Sequence, residues 1–109
     1  MSTTIQKQIL IGTLNIFTGP EKWLKRSLND GKGGFCLLGG IIQSAKQLGV
    51  FKEPDGDRTK MYLDAWRTLH DHINETQPHS SIVKFNNADE TSFEDMRDLL
   101  REVIQKVDA

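Results

Sequence analysis

The sequence predicts a mainly α-helical fold: a compact bundle of about four to five helices in a single domain over residues 1–109, with at most a minor short strand pair. Three observations carry this expectation. Apolar residues recur at helical spacing in several segments, Gly and Pro clusters punctuate the chain between them, and the last segment opens on a helix-capping pattern. With 109 residues, 37% hydrophobic and 27% charged, the chain suits one globular core rather than a disordered segment.

The first helix is expected over residues 3–17. Ile5, Ile9, Gly12 and Ile16 form one stripe and Leu10, Leu14 and Phe17 lie beside it, so the apolar coverage is wide and most of the circumference should be buried. Gly19 and Pro20 stop it. Pro20 then suits the first turn of a short second helix, "PEKWLKRSL", with Trp23, Leu24 and Leu28 facing inward. "NDGKGG" is turn chemistry, because Asn29, Asp30 and Gly31 tolerate left-handed backbone angles and consecutive glycines break a helix. A third helix should run from about Phe35 to Leu48 and end on Gly49. "KEPDGD" reads as a loop, with Pro54 and Asp55-Gly56 as a tight turn.

A fourth helix, from about Asp57 to Glu75, is marked by Tyr62, Ala65, Trp66, Leu69 and Ile73, and Pro78 limits it. Residues 82–85, "IVKF", read as a short extended segment or a connector. The last helix begins on a capping box, Thr91 or Ser92 with Glu94 or Asp95 three residues on, and continues through Phe93, Met96, Leu99, Leu100, Val103, Ile104 and Val107.

Charge narrows the function classes. Fourteen Lys+Arg against fifteen Asp+Glu leave a formal net charge of −1, which gives no overall field for a polyanion. Nucleic acid is therefore not the expected partner, and the basic cluster Lys22, Lys25 and Arg26 reads as a solvated helix face. One cysteine excludes an intramolecular disulfide and a cysteine-only metal site. "IQKQILIGTLNIF" lacks a basic leader, is interrupted by polar residues, and is far shorter than the ~20 residues needed to span a bilayer. No membrane association is expected, and a cytoplasmic location is.

The segment "DGKGGFCLLGG" invites chemistry. A phosphate loop needs G-x-x-x-x-G-K-[ST], but Gly33 follows Lys32, and the third glycine of a dinucleotide fingerprint is replaced by Cys36. No cofactor is expected. Cys36 stands near a helix start, where the macrodipole favours a nucleophilic thiolate, and His70, His72 and His79 followed by Asn86, Asn87 and Asp89 satisfy a papain-like chain order. Apolar neighbours favour instead a small core cysteine. Gly39 and Gly40 would each cost a helix about 1 kcal/mol relative to alanine, so a close neighbour, Trp23 or Trp66, is expected on them. No metal site is expected. His70 and His72 lie about 200 degrees apart on a helix, His72 and Glu75 complete no zinc pattern, and both histidines read as solvent-exposed near a helix end.

Trp23, "FCLLGG" (Phe35 to Gly40), "FNNADETS" (Phe85 to Ser92) and the amphipathic helix after it carry a resemblance. Together they resemble a family of small bacterial and phage proteins classed as a domain of unknown function. Its pattern is an early Trp, an aromatic-Cys-x-x-Gly-Ala helix start, and a Trp/Phe-Asn-Asp segment before a final helix. The resemblance spans about residues 20–107. Gly40 stands where the pattern has Ala, Asn87 where it has Asp, and Glu90-Thr91 replaces a Gly-Arg before the Thr. It implies a shared fold and a shared motif of Trp23, Cys36, Gly39, Gly40, Phe85 and Asn86, and no activity.

Asn86 itself suggests a structural device, an amide that bridges its own turn to the unpaired N–H groups at the start of the Cys36 helix. The functional expectation is accordingly a small non-enzymatic protein that acts through contact with another protein. The alternative is a cysteine-dependent hydrolase or transferase using Cys36 with a histidine base and Asn86 as orienting group.

Overall fold

A computed structural model describes residues 5–27, 30–49, 56–77 and 81–107, with side chains from residue 62 onward in the third of these stretches. Five α-helices follow one another: α1 Ile5–Ile16, α2 Leu37–Gln47, α3 Gly56–Thr76, α4 Ile82–Asn87 and α5 Phe93–Val107. The expected mainly α class holds, and the five helices among the described residues fall within the expected four to five. Among the described residues no helix is long and apolar enough to cross a membrane.

The wide apolar coverage of α1 is explained by its position. It packs against α2, α3 and α5, while α4 fills the gap beside α2 and α3. Ile9, Leu10 and Phe17 from the first segment meet Leu37, Ile41 and Ala45 of α2, Ala65, Leu69 and Ile73 of α3, and Met96, Leu99, Leu100 and Val103 of α5 in one core. Burying each such side chain contributes roughly 1.5–3 kcal/mol before the entropy of ordering it is subtracted.

The α1–α2 crossing is built on small residues. A Cβ on Gly40 would meet the ring of Phe17 at 2.7 Å and Thr13 Cγ2 at 3.4 Å. The neighbour that offsets the helix cost of Gly40 is therefore Phe17 with α1, and neither expected tryptophan. On the facing helix, Gly12 admits Ser44, whose Oγ donates to Ile9 O at 2.7 Å; Thr13 Oγ1 donates to the same carbonyl at 2.7 Å. Both buried hydroxyls are thereby satisfied.

Two local expectations are corrected. The second helix does not form: Pro20–Lys22 make a single 3₁₀ turn, and Trp23 is already extended at φ −109°, ψ 124°. Backbone groups that a helix would pair internally go elsewhere. Leu24 N donates to Phe35 O and Phe35 N to Lys22 O, both at 2.9 Å, making an isolated parallel bridge between Trp23 and Phe35. Arg26, at φ 64°, is in the left-handed region, which excludes it from a right-handed helix. Leu28 and Asn29 lie outside the described residues. The second correction concerns "IVKF", which is neither strand nor connector. It opens α4, with Ser81 as the cap accepting from Lys84 N at 3.1 Å.

The turn and the caps follow the sequence closely. Gly31 and Gly33 have φ of 73° and 90°, and Gly49 closes α2 at φ 76°. Before α5, Ser92 N donates to Asp95 Oδ2 and Asp95 N donates to Ser92 Oγ, both at 3.0 Å, a reciprocal capping box. The Pro54–Asp55 part of the expected loop lies outside the described residues.

Candidate functional site

Of the residues singled out from the sequence, Trp23, Cys36 and Asn86 meet at one junction, where segment 23–26, the start of α2 and the end of α4 come together. Asn86, 1% exposed, is its centre. Its Oδ1 accepts from Trp23 Nε1 at 2.6 Å and from Leu37 N at 2.9 Å. Its Nδ2 donates to Leu24 O at 2.9 Å and to Asn87 Oδ1 at 3.0 Å. The anticipated bridge to the first turn of the Cys36 helix is therefore present, although Asn86 sits inside α4 rather than in a turn. With both lone pairs and both amide hydrogens engaged, this amide has no capacity left to orient a catalytic base.

Asn87 and its neighbours continue the seam. Asn87 Oδ1 accepts from Arg26 N at 2.7 Å, and Lys25 Nζ donates to Ala88 O at 2.6 Å and Thr91 O at 2.9 Å. Lys25 also lies 5.2 Å from the Trp23 ring centroid, Trp23 is 6.2 Å from Phe93, and Arg97 is 5.8 Å from the Phe93 ring. Contacts of these kinds contribute about 0.5–1.5 kcal/mol each. The expected solvated basic face is thus two different things. Lys25 is a structural donor, whereas the Arg26 side chain is 69% exposed, with its guanidinium 3.3 Å from an almost fully exposed Asp89.

Cys36 is the N-cap of α2, with its Sγ accepting from Gly39 N at 3.3 Å, and is buried at 9% exposure. It lines a pocket of about 370 Å³ together with Arg26, Ser27, Leu38, Val83, Asn86 and Asn87. No described histidine lines this pocket. His70 stacks on Trp66, ring centroids 4.9 Å apart and planes within 9° of parallel. His72 is buried, a correction to the expected exposure, with Nε2 3.6 Å from Glu102 Oε1 and neither ring nitrogen hydrogen-bonded. It faces α5 because its position on α3 follows Leu69 and precedes Ile73 on the packed side. His79 lies outside the described residues. Phe85 is core, 2% exposed.

The glycine loop before Cys36 turns its donors inward. Asp30 Oδ1 accepts from Lys32 N at 2.8 Å and Gly34 N at 3.0 Å, and these backbone bonds hold the Asp30 carboxyl below its ordinary pKa. A phosphate would compete for N–H groups already held by a carboxylate. Among the described residues no group of three His, Cys, Asp or Glu is placed to hold a metal ion.

Residues that sequence reasoning missed are Arg26, Asn87, Leu38 and Val83 as parts of one pocket. A signal for α4 existed: Ser81 as cap, then Ile82, Phe85 and Asn86 at i, i+3 and i+4. The model of a family of unknown function, DUF6197, matches residues 1–106. The chain belongs to that family. Neither the curated proteins nor the solved structures include a match to it.

Proposed function

We propose that this member of the family is a non-enzymatic module that acts by docking a partner protein at the pocket bounded by Arg26, Leu38 and Val83. One observation carries the reading: the pocket's polar floor is committed to the fold. Asn86 has all four hydrogen-bonding positions engaged, and the Cys36 thiol accepts from Gly39 N. The exposed lining is mainly apolar, with Val83 48% exposed at the mouth, Leu38 half-buried beside it and Arg26 as its one charged residue. Exposed apolar surface rimmed by polar groups is the usual mark of a contact site.

The test is site-specific photo-crosslinking in the cells that make the protein. A photoreactive residue at position 83 is expected to give one defined protein adduct that Leu38→Lys abolishes, while the same residue in place of exposed Gln105 on α5 gives none. Equal adducts at both positions would remove the reading.

A second reading, a cysteine-dependent hydrolase or transferase, is favoured by one specific observation: Cys36 lines the pocket at a helix N-terminus. It requires an accessible thiol and a base in reach, and it is separated from the first by the reactivity of Cys36 in the native protein.

A further inference from the structure

Resting on the docking reading, we infer that the segment of the partner that enters this pocket pairs an apolar side chain with an adjacent acidic one, and that Arg26 is the receptor for the carboxylate.

Four features of the pocket lead there. Its volume, about 370 Å³, is at the low end of the roughly 300–1,000 Å³ typical of small-molecule sites, which suits one or two side chains of a bound segment. Its apolar wall is Leu38, Val83 and the Cys36 thiol, a surface that takes an aliphatic group. Its deepest amide, Asn86, is saturated from within, so the floor offers that group no polar partner to specify a heteroatom-rich ligand. The formal charge among its lining residues is positive and comes from Arg26 alone.

The backbone of Arg26 is fixed by the same seam that forms the pocket floor. A non-glycine residue at φ 64° carries a steric penalty that glycine would not. The conformation is held by Asn87, whose Oδ1 accepts from Arg26 N at 2.7 Å. Asn86 Nδ2 in turn fixes that same oxygen at 3.0 Å. Arg26 lines the pocket with a long side chain that is 69% exposed, within reach of a carboxylate on a bound segment. Such a pair is charge-assisted and can be bidentate. In the free protein the group rests 3.3 Å from Asp89, an exposed pair that holds it weakly. An incoming carboxylate displaces Asp89.

The experiment is a titration of the full-length protein, followed by the amide resonances of Asn86, Asn87 and Val83, with the peptide acetyl-Gly-Leu-Glu-Gly-amide and its Gln counterpart. The Glu peptide is expected to shift these resonances, and the Gln peptide to bind about five- to tenfold more weakly. Arg26→Gln should weaken the Glu peptide to the level of the Gln peptide, and Asp89→Asn should strengthen it about twofold. Arg26→Gly should raise the unfolding midpoint and weaken the peptide in the same protein, a combination that a purely structural Arg26 would not produce.

Equal binding of the Glu and Gln peptides overturns the carboxylate inference and leaves docking intact. So does the absence of any shift in a protein whose position 83 still crosslinks a partner. If decanoate binds as tightly as the Glu peptide, the carboxylate belongs to a free lipid and the partner-segment inference is overturned. Failure of crosslinking at position 83 would instead count against the docking reading itself.

Discussion

Trp23 Nε1 donates to Asn86 Oδ1 at 2.6 Å, joining two residues 63 apart in the sequence inside a seam that also caps α2. The bond converts a segment with helical composition into an extended one. Once the indole is tied to α4, Leu24 N goes to Phe35 O, Leu24 O to Asn86 and Arg26 N to Asn87, and these groups are no longer available to a helix.

Removing the Asn86 side chain should therefore be among the most damaging single changes to the fold. Asn86→Ala leaves the buried Leu37 N and the part-buried indole N–H and Leu24 O without this partner; an orphaned buried group costs about 1–3 kcal/mol and a part-buried one less. A loss on the order of 3 kcal/mol or more is expected in urea unfolding. Asn86→Asp, which retains an acceptor but loses the donor to Leu24 O, should also destabilise. A loss under about 0.5 kcal/mol for Asn86→Ala, the scale of an ordinary surface change, would contradict the hub assignment.

Gly40→Ala tests the helix crossing. The added methyl would lie 2.7 Å from the Phe17 ring, and overpacking of this kind costs about 1–3 kcal/mol against about 1 kcal/mol gained in helix propensity. Net destabilisation is expected. In the double variant with Phe17→Leu the methyl has room, so the two losses should be clearly less than additive in a double-mutant cycle. Strict additivity would mean that Phe17 is not what Gly40 accommodates.

The helical periods, the glycine turn and the α5 capping box were legible because each depends on residues close in sequence. Ser92 and Asp95 reach one another across a single turn, and Asp30 closes its own loop. Segment 20–27 departs from the helical expectation because its composition is helical and its competitor is remote. Asn86, Asn87, Ala88 and Thr91 supply the partners, and nothing local announces them. The expected Asn86 bridge was legible for a different reason: an amide beside a helix start is a known remedy for unpaired N–H groups. His72 was misplaced because two histidines near a helix end look solvated, whereas the register of Leu69 and Ile73 turns one of them toward α5.

Acid should weaken the α5 cap. The Ser92 N–H, followed by its hydroxyl, holds the Asp95 carboxyl below its ordinary pKa. A carboxyl depressed in the folded state contributes stability that is present above its unfolded value and is lost as pH falls through the folded one. Asp95→Asn is therefore expected to be less stable than the parent near neutrality, with the gap closing below the normal carboxylate range. Urea midpoints measured over that range check it, and a pH-independent gap would contradict it.

His72→Leu is expected to be tolerated. The imidazole is buried with neither ring nitrogen hydrogen-bonded, and Glu102 lies at 3.6 Å, beyond a good hydrogen bond. A leucine facing α5 should leave stability unchanged or raise it by up to about 1 kcal/mol, read from the thermal or urea midpoint. Marked destabilisation would show that the His72–Glu102 pair holds α3 to α5.

The central claim, a pocket whose polar groups serve the fold and whose surface serves a partner, meets its most direct test at Cys36. The measurement is the rate at which a small thiol reagent labels the native protein, compared with the same chain in denaturant. A native thiol that accepts from Gly39 N at 9% exposure should react more slowly than in the unfolded chain. A native rate faster than that of the unfolded chain would reveal an activated, accessible nucleophile, and the account of a non-catalytic pocket would be wrong.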